Sequence, residues 1–195
     1  MSTAHLDRFF AHRRRGELAP MFPNVKEVSE SMGAFHAIDR RLCATGAIRR
    51  AEPNTVAIVV GDGHSPRTGA LIAMSTAWSV VSIDPVMRPK HTRDGAHAGL
   101  RLTAVASRIE ALQPRSFAGR DVVLVAVHSH ALLDDAVAFV AECRSLHAVA
   151  IPCCVPQAIA GTVPTDEYSD EAILSPERRV LVWRDVSPRN KPIGE

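Results

Sequence analysis

Apolar residues in this chain follow two patterns: continuous runs of strand length, and stripes in which they recur every three or four positions. The continuous runs are typical of strands buried on both faces, and they occupy residues 55–60, 78–83, 121–127, 147–151 and 179–184. A weaker alternation over residues 100–106 predicts a further strand. Most of these runs end abruptly in Gly, Pro, Asp or His, as strands do where they enter loops.

The stripes predict helices over residues 25–48, 68–77 and 132–143. Residues 1–24 are polar, basic and interrupted by two prolines, which predicts an arm or an irregular lead-in. The acidic stretch at 166–171 predicts a solvated loop. We therefore expect a basic N-terminal arm at residues 1–24 and a folded domain at residues 25–195.

Alternation of buried strands with helices predicts the fold class. It indicates an α/β protein with a doubly wound, mostly parallel sheet, covered by helices on both faces in a Rossmann-like arrangement. The chain has 195 residues, of which 46% are hydrophobic, so it can build the core of a single domain. Ligands of such sheets bind beyond the carboxyl ends of the strands, and those ends are where candidate site residues are sought.

The composition of the chain argues against several classes of protein. The chain has no apolar run of membrane-spanning length and no apolar signal core near its N-terminus, so we expect a cytoplasmic protein without membrane contact. Its four cysteines are irregularly spaced, and two are adjacent, which favours reduced thiols. Aromatic residues make up 5% of the chain, which argues against a base-stacking RNA platform.

Basic residues concentrate in two clusters. One contains Arg13, Arg14 and Arg15, and the other contains Arg88, Lys90 and Arg93. Clustered cations suit phosphate contacts, so these six residues are candidates for binding a nucleic acid, with RNA slightly favoured. A solvated surface run is the simpler explanation of both clusters, because the net charge of the whole chain is only +2.

The first two predicted strands end in residues suited to a nucleotide. Gly61-Asp62-Gly63 follows the first strand, where glycines let the backbone approach a ligand and the next helix offers free N–H groups. Asp84 ends the second strand, 21 residues beyond Gly63, and a carboxylate there can accept both hydroxyls of a ribose. Together these features predict a site for an adenosine-containing cofactor.

The loop after the first strand restricts which cofactor fits. It lacks the Gly-Lys-Ser/Thr of a P-loop, which disfavours phosphoryl transfer from a triphosphate. Pro66 stands where the dinucleotide fingerprint needs its third glycine, which argues against an NAD-dependent oxidoreductase. S-adenosylmethionine carries adenosine without a pyrophosphate and fits the loop better.

The order of these strand ends resembles a class I S-adenosylmethionine-dependent methyltransferase. The resemblance covers about residues 50–155 and rests on the glycine loop, on Asp84, on the strand ending at His128, and on the strand ending in Pro152-Cys153-Cys154. It is similar to the branch whose fourth strand ends Leu-His-x-Cys-Gly and whose fifth ends Pro-Cys-Cys-His, which includes tRNA ribose methyltransferases. This chain departs from that branch at residues 129–131 and at Val155.

The resemblance implies roles for individual residues. The glycines would face the methionine part of the cofactor, Asp84 its ribose, and Ser107 with Arg108 its adenine. The implied cofactor-binding set is Gly61, Asp62, Gly63, Asp84, Ser107 and Arg108. His128 would lie where the methyl acceptor binds and could act as its base, with His130 and Cys153 as neighbours. A buried His128 that is hydrogen-bonded to backbone is the structural alternative.

Two further alternatives concern chemistry at the last strand ends. His128, His130, Cys153 and Cys154 together offer zinc ligands, but adjacent cysteines in a strand point to opposite faces, so we expect no metal there. The departures from the branch pattern also support a second function. The chain would then be a catalytically inactive, methyltransferase-like binding or structural subunit of a larger complex, with a protein partner.

Overall fold

The computed structural model describes residues 2–187 and places the continuous apolar runs in one seven-stranded sheet. Its strands are β1 (Thr55–Val60), β2 (Ser79–Ile83), β3 (Leu102–Val105), β4 (Arg115–Val127), β5 (Val140–Ile151), β6 (Asp166–Ser169) and β7 (Arg179–Trp183). Their order across the sheet is β3-β2-β1-β4-β5-β7-β6, and β7 runs antiparallel to the other six described strands. This confirms the predicted α/β class with a mostly parallel, Rossmann-like sheet.

Six α-helices surround the described part of the sheet. They are α1 (Ala4–Phe10), α2 (Arg15–Leu18), α3 (Val25–Ala37), α4 (Arg67–Ser75), α5 (Pro89–Thr92) and α6 (Leu133–Phe139). Helix α3 begins where the Asn24 side chain accepts a hydrogen bond from the Glu27 amide, and it continues as a π-helical turn over Ile38–Cys43. Between residues 2 and 187, none of the helices is both long and apolar enough to cross a bilayer.

The sheet buries side chains on both faces. In β1, Ala57 and Val59 join the core formed with α3 and α4, while Val56 and Ile58 pack in the core that contains α6. Because successive side chains of a strand point to opposite faces, a strand covered on both sides must be apolar throughout. This is why β1 appears in the sequence as a continuous apolar run.

The predicted N-terminal arm is helical and packed in the structure. Phe9 of α1 and Leu18 of α2 are buried in the core beneath α3. The Ser65 hydroxyl, in the loop after β1, donates a hydrogen bond to the carbonyl oxygen of Met21 at 2.8 Å. Residues 2–24 therefore cover one side of the domain. At the other end of the predicted domain, residues 188–195 lie outside the part that the structure describes.

Two predicted elements differ from those in the structure. The helix predicted over 132–143 ends at Phe139, and the residues after it begin β5. The backbone there pairs with the first residues of β4, Arg115 opposite Val140 and Phe117 opposite Cys143, so pairing with a distant strand overrides the helical spacing. Residues 166–169 of the acidic stretch predicted as a loop form β6 at the sheet edge, where Glu167 pairs with Arg179 of β7 and Asp166 pairs with Arg184 just after β7.

His147 of β5 makes the stability of the fold sensitive to acid. It is 1% exposed, and its Nδ1 accepts a hydrogen bond from the Asp185 amide at 3.3 Å, which requires a neutral ring. Burial lowers the pKa of His147, so its stabilising contribution is present above the unfolded pKa and is lost as the pH falls below that value. We expect the free energy of unfolding in urea to decrease from about pH 7.5 to about pH 5.

The replacement His147→Asn tests this assignment, because the amide oxygen can still accept from Asp185 but does not titrate. Its free energy of unfolding should fall less over the same pH interval. His64→Asn, which changes an exposed histidine, should leave the wild-type pH dependence in place. An unchanged pH dependence in His147→Asn would exclude His147 as the source.

Candidate functional site

The loop between β1 and α4 is built on two glycines in the left-handed region. Gly61 has a φ of 73° and Gly63 a φ of 78°, conformations that other residues adopt only with strain. A Cβ on Gly61 would lie 2.2 Å from Oγ of Ser129, which follows β4. The backbone of the glycine loop therefore packs directly against the end of β4, with no room for a side chain between them.

Asp84 at the end of β2 holds this loop in place. One carboxylate oxygen accepts the Gly63 amide at 2.7 Å, and the other accepts the Val86 amide at 2.8 Å. The structure thus brings together the two features that the sequence identified at separate strand ends. Two ionised carboxylate oxygens offer about four acceptor positions, so Asp84 retains capacity for two hydroxyl donors.

Asp62, between the two glycines, has a different role from them. Its carboxylate accepts the amides of Thr68 and Gly69 at 2.9 Å each and the Ser82 hydroxyl at 2.8 Å. Burial raises the pKa of Asp62, and these donors oppose that shift. All of its partners belong to α4 and β2, so the side chain stabilises the start of α4 and is committed to the interior rather than to a ligand.

Ser107 and Arg108 follow β3 at the same edge of the sheet. The Asp84 amide donates to the Val105 carbonyl at 3.1 Å, which joins the ends of β2 and β3. Ser107 donates its hydroxyl to the backbone of Arg108, whose guanidinium is exposed near Glu110. Sequence reasoning missed Val86, which is 52% exposed two residues after Asp84 and gives this edge an apolar surface. In the sequence, Val86 is recognisable only as an apolar residue just beyond a strand that ends in an acidic residue.

His128 ends β4 in a strained backbone conformation, with a φ of 48°. Its Nε2 lies 3.4 Å from Oε1 of Glu30 on α3, and Lys26 Nζ lies 2.8 Å from the same oxygen. Glu30 is only 3% exposed. Its carboxylate is therefore a buried partner of both the Lys26 ammonium and the His128 ring. This pairing was not predictable from the sequence, because the two residues are far apart along the chain.

The pair has a testable electrostatic consequence. Burial lowers the pKa of His128, while the charge of Glu30 raises it and that of Lys26 lowers it. We expect Glu30→Gln to lower the pKa of His128 further, and Lys26→Met to raise it. Both changes can be followed by NMR titration of the His128 ring protons. A pKa that rises in Glu30→Gln would contradict the pairing.

The other residues expected at these strand ends form a separate cluster. Cys154 Sγ lies 3.4 Å from His130 Nε2 and 3.8 Å from Cys153 Sγ, and both cysteines are free thiols. Residues 153–155 form a bend beyond β5 rather than strand, and the two Sγ atoms lie 3.8 Å apart, so the expectation that the two thiols point to opposite faces is wrong. His128 is directed to Glu30 and is not part of this cluster.

The two basic clusters lie at opposite ends of α4. His12, beside Arg13, Arg14 and Arg15, contacts the Ser75 hydroxyl at the last residue of α4. The Arg88 amide donates to the His64 carbonyl just before α4 begins, which places Arg88, Lys90 and Arg93 near the glycine loop. Within the first cluster, Arg14 pairs with Glu17 and Arg15 donates to the Phe10 carbonyl. The six residues therefore do not form one continuous surface.

No protein-family model matches the chain, and no curated protein matches it significantly. Among solved structures, the chain is similar to a 1,6-didemethyltoxoflavin-N1-methyltransferase of Burkholderia thailandensis, solved with bound 1,6-didemethyltoxoflavin and S-adenosylhomocysteine. The two chains are 16% identical, the match covers 93% of this chain and 73% of the other, and the TM-score is 0.43. A likeness of this strength bears on neither the activity nor the substrate of the present chain.

Proposed function

We propose that this chain is a class I S-adenosylmethionine-dependent methyltransferase. The observation that carries the proposal is the contact between the glycine loop and Asp84, in which two left-handed glycines after β1 are fixed by the carboxylate that ends β2. In a doubly wound sheet this edge is where nucleotides bind. The strand ends that supply the loop, the carboxylate and the candidate base all lie at that edge.

The residues present fit the cofactor. The backbone at Gly61 and Gly63 would lie along its methionine part, and Asp84 has acceptor positions left for the two ribose hydroxyls. Val86 offers an exposed apolar surface for the adenine ring, two residues after Asp84. When bound, the cofactor supplies an electrophilic methyl group. The protein must align the acceptor with that group and remove a proton where the acceptor carries one.

His128 is proposed as the group that accepts this proton. Burial keeps the pKa of His128 below its ordinary value, so at neutral pH the ring is mostly neutral and able to take a proton. Once the ring is protonated, the buried Glu30 carboxylate 3.4 Å away stabilises the imidazolium. Glu30 is thus a positioning and charge-balancing residue, and Lys26 limits how strongly it raises the pKa of His128.

We infer that a phosphate-bearing acceptor such as RNA would be held by Arg88, Lys90 and Arg93. These side chains are exposed and follow the end of β2, on the side of the glycine loop. The cluster around Arg14 lies at the far end of α4, so it would contact only an extended acceptor. This separation favours the second cluster as the one that works with the cofactor site.

A labelled-methyl assay tests the function. The full chain is incubated with S-adenosylmethionine that carries a labelled methyl group, and with total RNA. We expect label in RNA, less of it at high salt, and a loss on the order of a hundredfold in His128→Asn. Label in small molecules or protein but not in RNA would keep the activity and reject the RNA acceptor.

One observation favours the alternative of an inactive subunit. The His128 ring already faces the buried Glu30 carboxylate at 3.4 Å, which restrains the ring. Under this alternative the chain binds the cofactor or a protein partner without turnover. Tight cofactor binding with no transfer to any acceptor fraction, and the same result in His128→Asn, would support it.

A further inference from the structure

We propose that His130, Cys153 and Cys154 bind a zinc ion at the ends of β4 and β5. One potential ligand atom from each residue lies within 4.8 Å of those from the other two. The thiols are free, and His130 and Cys154 are exposed to solvent, so a cation can reach all three atoms. Imidazole nitrogen and thiolate sulfur are the ligands that zinc prefers in proteins.

The spacing of these atoms matches that of a tetrahedral zinc site. Zn–S bonds of about 2.3 Å and Zn–N bonds of about 2.0 Å imply ligand separations of about 3.8 Å between sulfurs and about 3.5 Å between sulfur and nitrogen. The structure has 3.8 Å between the two Sγ atoms and 3.4 Å between Cys154 Sγ and His130 Nε2. These two pairs of ligand atoms therefore already have the separations that a bound zinc ion requires.

Gln157 braces the two loops that carry the ligands. Its Nε2 donates to the carbonyl oxygens of Ser129 at 3.0 Å and of Ala131 at 3.1 Å, on either side of His130. Its Oε1 accepts the amide of Leu133 at 3.1 Å. Because Gln157 follows Cys154 by three residues, this buried side chain fixes the histidine loop relative to the cysteine loop. Such second contacts orient the ligands of metal sites.

A second group of metal-binding residue types, His5, His36 and Asp170, is less suited to an ion. His5 Nε2 already contacts Asp170 at 2.8 Å, and its Nδ1 contacts Arg8 at 3.1 Å. Both ring nitrogens of His5 are therefore engaged within the protein. In the cysteine-containing cluster, by contrast, the Cys154 thiol contacts the other two members, His130 and Cys153.

Three protein ligands leave the fourth position of a tetrahedral zinc ion open to water or to another ligand. Binding converts both thiols to thiolates and releases two protons to solvent, so the affinity should increase with pH. The cluster follows Ser129, which packs against Gly61, so the ion would lie at the edge of the sheet that carries the candidate cofactor site. The proposal does not depend on that site being a methyltransferase.

Metal binding is tested on the full chain, reduced and freed of metal with a chelator. Zinc is titrated against a chromophoric competitor, and Co²⁺ is used as a spectroscopic probe. We expect one ion per chain and a thiolate-to-cobalt charge-transfer band with the visible spectrum of a tetrahedral site. Cys153→Ser, Cys154→Ser and His130→Ala should each weaken binding at least about tenfold. Cys43→Ser and Cys143→Ser, which change cysteines outside the cluster, should bind as wild type does.

Circular dichroism of each variant separates loss of the ligand from loss of the fold. Failure of the reduced wild-type chain to bind either metal would overturn the proposal. Binding that survives all three ligand substitutions would overturn it as well. Because the readout is metal binding alone, the result is independent of whether the chain binds S-adenosylmethionine.

Discussion

Replacing Asp84 with alanine is expected to weaken S-adenosylhomocysteine binding by at least about a hundredfold, or about 2.7 kcal/mol. Hydrogen bonds to a charged group contribute about 1.5–3 kcal/mol each, and the proposal assigns Asp84 two ribose hydroxyls. The same carboxylate also holds the Gly63 and Val86 amides, so its loss loosens the loop that would contact the methionine part. Isothermal titration calorimetry of the full chain measures the change directly.

Two variants control for this measurement. Asp84→Asn retains one acceptor oxygen and should lose less affinity than Asp84→Ala. Asp94→Ala removes an exposed carboxylate from the loop after α5 and should bind as wild type does. Urea unfolding of each variant establishes that the protein is folded at the titration temperature. Unchanged affinity in a folded Asp84→Ala variant would show that the cofactor site has been assigned to the wrong residues.

Replacing Gly61 with alanine is expected to destabilise the fold by about 3 kcal/mol or more. The left-handed backbone at Gly61 is strained for alanine, and its methyl group would overlap the Ser129 hydroxyl 2.2 Å away. Ser129 cannot easily move, because it is buried and its Oγ is hydrogen-bonded to the backbone of Ala131. The free energy of unfolding in urea measures the loss.

Gly119 provides a matched control for Gly61. It has a φ of 71°, but no atom lies within 4 Å of the position that a Cβ would take. Gly119→Ala should therefore cost only the backbone strain, about 1 to 2 kcal/mol. Adding Ser129→Gly to Gly61→Ala should recover part of the lost stability by removing the overlap. Equal losses in the two single variants would mean that the Ser129 contact is unimportant.

Local patterns were sufficient to predict most of the sheet, together with the loop and the strand end that form part of the candidate site. The apolar run at 55–60 corresponds to β1, because burial on both faces favours an apolar residue at nearly every position of the strand. The positions of the two glycines and of Asp84 at strand ends were also predictable, since a turn and a strand end each restrict the residue types they accept. These features depend on short stretches of chain, and the structure joins them through one hydrogen bond.

Features that depend on distant residues were not predictable in the same way. The first residues of β5 are strand because β4 lies beside them, and the helical spacing of their apolar side chains pointed elsewhere. Glu30 meets His128 only after α3 packs on the sheet. The proximity of the two thiols results from a bend after β5 that their adjacency in the sequence does not reveal. Asp62, expected at a ligand, is instead committed to the interior by Ser82 and α4.

We propose that S-adenosylmethionine binds at the edge of the sheet formed by the glycine loop and Asp84. Calorimetric titration measures this binding without requiring a known methyl acceptor. The full chain is titrated in parallel with S-adenosylmethionine, S-adenosylhomocysteine and NAD. We expect micromolar binding of the first two, about −8 kcal/mol, and no measurable binding of NAD. Absence of binding by both S-adenosyl compounds, or tighter binding of NAD than of either, would contradict it.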